Sequence, residues 1–292
     1  MKNKTNPVFW ANRFSFGRLL VNVILVFIFV ITFYPFFYVL FLSVMPYVNY
    51  IKQPVHALPD GFTLIYFQDI LKRPEMVTAF GISILRTLIG TSLSVVATCM
   101  AGYALSRRNL KWARVLSFLF LIPMFFNAGL IPYYLVIKAV GLKDTFGALI
   151  LPSLVLPMWM YIARSAFTEY PQEIIEWAEL DGAGPFTIFW KIVWPTSFPI
   201  IATISVMYGT FYWNEYFFAR ILVGQDLWPA TAHLYNLMQM RTIQSQLGAG
   251  VQMIDQSYLS AIAALLIIPV LIVYPLLQRY VIAGVMVGAV KE

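Results

Sequence analysis

Between Leu19 and Val44 the chain carries no charged side chain. Apolar runs interrupted by few charges recur at residues 77–105, 115–136, 146–167, 197–222 and 258–277. The hydrocarbon core of a bilayer is about 30 Å thick and needs roughly 20 apolar residues to cross as a helix. Each run meets that length, so the expected fold is an all-α membrane protein with six transmembrane helices. Only 11% of the 292 residues are charged, against about 25% for an average soluble domain. That is too little charged surface to cover a water-soluble core of this size.

The first run follows a polar, basic segment, residues 1–18, with Lys2, Lys4, Arg13 and Arg18 and no acid. It is longer than a signal-peptide core and has no small-residue cleavage site, so it reads as an uncleaved span. A second basic group, Arg107, Arg108, Lys111 and Arg114, follows the second run. Six spans put both groups, both termini and the connection between spans four and five on one side. The positive-inside rule makes that side cytoplasmic. The net charge of +7 is thus read as orientation rather than affinity for nucleic acid. Residues 45–76 and 223–255 become extracytoplasmic loops, the first with one short helix around Tyr66–Leu71, and residues 278–292 a cytoplasmic tail. The lone Cys99 allows no disulfide framework, and His56 and His233 have no metal-ligand spacing around them.

One acidic, polar island stands in this apolar chain, from Glu173 to Pro199, most of it in a cytoplasmic coupling loop 169–196. Its first part alternates Ile174, Ile175, Trp177, Ala178 and Leu180 with Glu173, Glu176 and Glu179, a pattern that predicts a short amphipathic helix with the apolar residues on one face. Asp181-Gly182-Ala183-Gly184-Pro185 ends it, because glycine tolerates left-handed backbone and proline opens a helix but does not continue one. A second run, Phe186–Val193, ends at Pro195. The island is therefore a rigid helix-turn-helix peg between two spans.

Glu176, Ala178, Asp181, Gly182 and Ala183, followed by Phe189, Ile192 and Pro195, stand at the positions of the EAA loop of ABC-importer permeases, with Trp177 in place of one alanine. Phe62-Thr63-Leu64, the segment Ala101–Arg107, Trp213–Tyr216 and the ending Gly284–Lys291 also resemble the MalG-like permeases of oligosaccharide importers. Phe125–Pro132 resembles the LplC-like subgroup, which includes a permease of a bacterial alginate importer. The resemblance spans essentially the whole chain and implies the MetI-like ABC permease fold. It implies that Glu173, Ile174, Glu176, Trp177, Ala178, Leu180, Asp181, Gly182 and Ala183 couple the chain to a cytoplasmic ATPase. Implied partners are a second, related permease, two copies of the ATPase, an extracytoplasmic sugar-binding protein and the lipid of the bacterial cytoplasmic membrane. ATP and Mg would bind the ATPase. This chain would need no cofactor and has no catalytic residues, since it contains no G-x-x-x-x-G-K-[ST] phosphate loop. The tail Gly284–Glu292 would reach between the ATPase subunits.

Within the spans, Arg86 and Glu215 are ionisable groups that cost several kcal/mol unless paired, hydrated or satisfied by carbonyls. Each is either part of a substrate pathway or inter-subunit contact, or a satisfied internal charge. Trp213, Asn214 and Tyr216 beside Glu215 offer aromatic faces and hydrogen-bonding groups of the kind that hold sugar rings; packing against the second permease is the competing account. The segment 223–255 is long for a plain connection and is expected to face the binding protein. Two other classes stay open: an ion-coupled transporter using Glu215, and a membrane scaffold whose peg docks a soluble partner. The first is weakened by the lack of a visible inverted repeat.

Overall fold

The computed structural model describes residues 16–52, 60–107, 109–247 and 254–289, and among them regular structure is entirely helical. In chain order the helices are α1 (Phe16–Val44), α2 (Tyr47–Lys52), α3 (Ile65–Lys72), α4 (Pro74–Ser106), α5 (Ala113–Phe125), α6 (Leu130–Ala139) and α7 (Pro157–Thr168). They continue as α8 (Gln172–Leu180), α9 (Pro185–Ile188), α10 (Trp194–Thr196), α11 (Phe198–Asn214), α12 (Phe217–Leu222), α13 (Ala230–Leu247) and α14 (Gln256–Ala289).

The expected spans divide into two kinds. The first, second and sixth are unbroken helices whose segments Leu19–Val44, Pro74–Ser106 and Gln256–Val273 are long and apolar enough to cross a bilayer. The third, fourth and fifth are broken. Between α5 and α6, Gly129 takes φ +84° and donates its N–H to Asn127 Oδ1 at 2.8 Å, a tight turn that interrupts the ladder. The fourth starts as two 3₁₀ turns, Phe146–Leu149 and Leu151–Ser153, which meet α7 at 49°. Pro157 occupies the first turn of α7, where its missing N–H is no loss. The fifth breaks at Glu215 and Tyr216 between α11 and α12.

The expected connections hold more helix than their polarity suggests. Segment 223–255 is not an open loop: it holds the 18-residue α13. Polarity suggested a loop, but Ala, Leu, Met, Gln and Arg are good helix formers, and α13 packs against α4 and α14. Residues 278–289 of the expected tail continue α14, which runs to Ala289 through Pro269 and Pro275. Segment 45–76 contains α2, α3 and the first turn of α4. The expected basic segment before residue 16, and residues 290–292 of the tail, lie outside the described residues.

The axis of the molecule is α4, with α7 and α11 against it and α14 on the far side of α11. Small residues let these helices approach. A side-chain carbon at Gly90 would lie 2.9 Å from the Tyr212 ring, and one at Gly102 would lie 2.9 Å from both Ala163 Cβ and the Arg164 backbone nitrogen. Close backbones and interhelical hydrogen bonds hold helices together where no hydrophobic drive separates them from lipid. Here Ser94 bonds Tyr212 at 2.8 Å and Thr98 bonds Tyr208 at 2.7 Å. Tyr208 Oη also accepts the Leu156 N–H at 2.9 Å, which fixes the bend before α7.

Candidate functional site

At one end of α4 stands the peg. Its first helix, α8, ends in a Schellman arrangement: the Ala183 N–H reaches Ala178 O at 2.9 Å and the Gly182 N–H reaches Glu179 O at 3.0 Å. That geometry needs a left-handed residue after the cap, and Gly182 supplies it with φ +81°. Pro185 then opens α9, which passes through a π turn, Phe189–Val193, into α10. The run Pro185–Thr196 meets α11 at 85°, so the second half of the peg lies across that helix.

The apolar residues of α8 do not share one face. At about 100° per residue, a stretch from Ile174 to Leu180 spreads around the whole helix. Ile175 and Ala178 are buried in the chain's own core with Tyr103, Phe167 and Phe189. Ile174, Trp177 and Leu180 point outward, Trp177 with 69% and Leu180 with 80% of its surface exposed, and Phe186 of α9 joins them. Glu173, Glu176, Asp181 and Gly182 are exposed and Ala183 is half-buried. Of the residues expected to meet the ATPase, Ala178 thus backs the peg from inside.

A contact that the sequence reading missed fixes α8 in place. Arg107, which caps the C-terminus of α4, donates from Nη2 to Glu179 Oε1 at 2.7 Å and from Nη1 to Gln172 Oε1 at 3.2 Å. Arg107 was legible as one of a basic group that orients the chain; its carboxylate partner lies 72 residues on, beyond any local pattern. Beside this pair opens a cleft of about 420 Å³ lined by Tyr103, Ala104, Leu110, Pro185, Phe186 and Phe189.

Deeper in the bundle, the structure brings Arg86 and Glu215 together. Arg86 is buried, donating from Nη2 to Glu215 Oε2 at 2.6 Å, from Nη1 to Glu215 O at 2.7 Å and from Nε to Leu149 O at 3.2 Å. The second carboxylate oxygen, Oε1, accepts the Phe218 N–H at 2.6 Å and so caps α12. Both groups, expected on a substrate pathway, are occupied in tying α4, the 3₁₀ turn and the break in the fifth span. Trp213 is buried between α11 and α14, with Nε1 donating to Leu266 O at 3.0 Å. Asn214 is exposed and donates to Thr210 O at 2.8 Å. The Tyr216 ring stacks on Tyr235 of α13 at 4.5 Å. Arg220, whose guanidinium lies 4.8 Å over the Tyr235 ring, did not stand out in the sequence.

At the opposite end of α4 from the peg, a cleft of about 370 Å³ is lined by Arg73, Glu75, Asp226, His233, Asn236 and Tyr258 among others. Burial holds the His233 imidazole below its ordinary 6.5, opposed by a backbone hydrogen bond with Gln225 and by the Glu75 carboxylate. The two clefts sit at the ends of a 33-residue helix, about 50 Å long at 1.5 Å per residue.

Comparison with known proteins places this arrangement. The family described as "Binding-protein-dependent transport system inner membrane component" matches residues 94–287. Protein LplC of Bacillus subtilis is 31% identical over 89% of this chain and 90% of its own length. The polygalacturonan/rhamnogalacturonan transport system permease protein YtcP of Bacillus subtilis is 33% identical over 88% of this chain and 92% of its own. Among solved structures, a chain of a bacterial ABC transporter involved in the import of the acidic polysaccharide alginate superposes with a TM-score of 0.81 at 26% identity, covering 94% of this chain and 100% of that one. With a peg between its fourth and fifth runs and a family match over most of its length, the chain belongs to the inner-membrane permeases of binding-protein-dependent ABC importers.

Proposed function

We propose that this permease moves an oligosaccharide, an alginate fragment or a piece of another polysaccharide, across the bacterial cytoplasmic membrane, and that its peg couples that movement to ATP hydrolysis on separate subunits. The observation that carries the coupling reading is the exposed apolar ridge of Ile174, Trp177, Leu180 and Phe186 on a peg capped by Gly182 and backed by Ile175 and Ala178. An apolar ridge on a stiff support fits a groove in a partner, with Glu173, Glu176 and Asp181 setting register at the rim. The partners are two copies of a cytoplasmic ATPase, which holds ATP and Mg, a second permease beside this one and a sugar-binding protein outside. Closure of the ATPase dimer carries the peg, and the helices joined to it tilt from inward-facing to outward-facing. Both termini and the peg lie in the cytoplasm, and α13 with the His233 cleft faces the binding protein. The names of YtcP and of the alginate transporter support a saccharide cargo. We assign its contact to Asn214, which is exposed, and to Tyr216, half-buried with its ring on Tyr235.

An ion-coupled transporter would use Glu215 as its carrier group, yet both of its carboxylate oxygens are engaged, by Arg86 and by the Phe218 N–H. The test is reconstitution of the chain with its ATPase, partner permease and binding protein in vesicles. Alginate trisaccharide or trigalacturonate should accumulate only with ATP and all subunits present. Accumulation driven by an ion gradient without the ATPase would overturn the reading.

A further inference from the structure

We propose that Arg107 is the positioning residue through which displacement of the peg becomes displacement of α4. The inference rests on the coupling reading above and assigns the joint that the reading requires. A peg carried by a partner does nothing to the spans unless something holds it to a helix that runs through the bundle. Covalent connection provides this for α11, across an 85° bend, and for α7, through the short link Glu169–Pro171, but α4 has no covalent link to the peg.

The joint is built from the contacts of Tyr103 and Arg107 at the end of α4. Arg107 holds Gln172 and Glu179 at once, at 3.2 and 2.7 Å. These lie seven residues, or two turns, apart on one face of α8, about 10 Å along its axis, so one guanidinium grips the helix near both ends and resists its pivoting. Tyr103, one turn earlier, packs on Phe189 at 5.3 Å and edge-on to Phe167 at 5.9 Å, reaching the second half of the peg and α7. The Arg107 guanidinium lies 5.8 Å over the Tyr103 ring, which ties the two contacts together. A planar fork with five donors spans two separate acceptors in this way; a lysine ammonium does not.

The contact is poorly suited to holding the fold. The Glu179 side chain is 45% exposed and Arg107 17%, and exposed ion pairs contribute little to stability. Ile175 and Ala178 bury the inner face of α8 with or without the clamp. A group that adds little stability yet connects two moving parts is expected to set their relative motion.

The test uses the whole importer, purified through a tag on this chain, with the native thiol removed (Cys99→Ser). Spin labels at Thr187→Cys on the peg and Ser92→Cys on α4, both exposed, report the distance between the two elements, without nucleotide and after trapping with ATP and vanadate. With Arg107 intact, the distance is the same in both states, since peg and helix move as one body. In R107Q and R107K it changes on trapping, and ATP hydrolysed per sugar carried rises about fivefold or more, while the melting temperature stays unchanged. The charge exchange R107E with E179R restores the fixed distance in part. An R107Q importer whose distance is as constant as that of the unaltered protein overturns the clamp, and so does an R107Q importer whose only defect is a lowered melting temperature. The W177D/L180D variant separates this from the coupling reading. If the ATPase still copurifies with that variant, the coupling reading itself fails; if it is lost while R107Q is silent, only the clamp fails.

Discussion

Arg86 and Glu215 stand 129 residues apart in sequence and 2.6 Å apart in space, inside a bundle whose exterior is apolar. Taking two charges out of water costs several kcal/mol each, and their attraction offsets this only when the geometry is good and the remaining donors and acceptors are filled. Here they are filled: Arg86 also bonds two carbonyls, and Glu215 caps the helix after the break. The pair therefore fixes where the fifth span is interrupted.

Removing one member leaves the other buried and unpaired. Arg86→Met or Glu215→Leu should each destabilise the permease by about 3–5 kcal/mol, and the double variant should lose clearly less than the sum. Thermal melting of the four proteins in detergent checks this. Additive losses would mean that the two groups act separately.

Gly182 constrains the peg through its backbone alone, since a side chain there would meet open space. Gly182→Val forces a branched residue to φ +81°, at a cost of about 1–2 kcal/mol, and frays the cap of α8. The protein should insert and assemble, while ATP hydrolysis proceeds with little sugar uptake. Gly182→Asn, which tolerates left-handed backbone better, should retain more coupling; the ratio of sugar carried to ATP hydrolysed measures both.

Gly102 tests the packing of α4 on α7. Its neighbours at 2.9 Å include the Arg164 backbone nitrogen, which cannot swing aside. Gly102→Val should therefore wedge the helices apart and cost about 1–3 kcal/mol. Gly81, with nothing within 4 Å of its would-be side chain, is the control: Gly81→Ala should melt like the unaltered protein.

His233 predicts a pH dependence at the cleft at the far end of α4 from the peg. Its folded pKa lies below the ordinary 6.5, so the folded state disfavours protonation. The stability gained by burying the neutral ring is complete above about pH 6.5 and is lost as pH falls through 6.5 toward the folded value. The melting temperature should drop between about pH 7 and pH 5, and His233→Gln should flatten that drop.

Much of this protein is written locally in its chain. The length of apolar runs gives α1, α4 and α14, because a bilayer demands a fixed length of apolar helix whatever its neighbours do. The peg is legible for a similar reason: glycine at a left-handed cap and proline at a first turn act through their own backbones, and Gly182 and Pro185 stand where the sequence places them. The short helix around Tyr66–Leu71 appears as α3. Polarity alone misjudged α13, where helix-forming residues outweighed the absence of an apolar stripe.

Tertiary structure decided which residues meet. Nothing within reach of a local pattern told whether Arg86 faced a pathway or Glu215, whether Arg107 merely oriented the chain or gripped Glu179, or that Trp213 would close against Leu266. Periodicity assigns a residue to a face of its own helix, but the partner of that face is set by the direction in which helices cross. That direction depends on close approaches such as those at Gly90 and Gly102, between segments far apart in the chain.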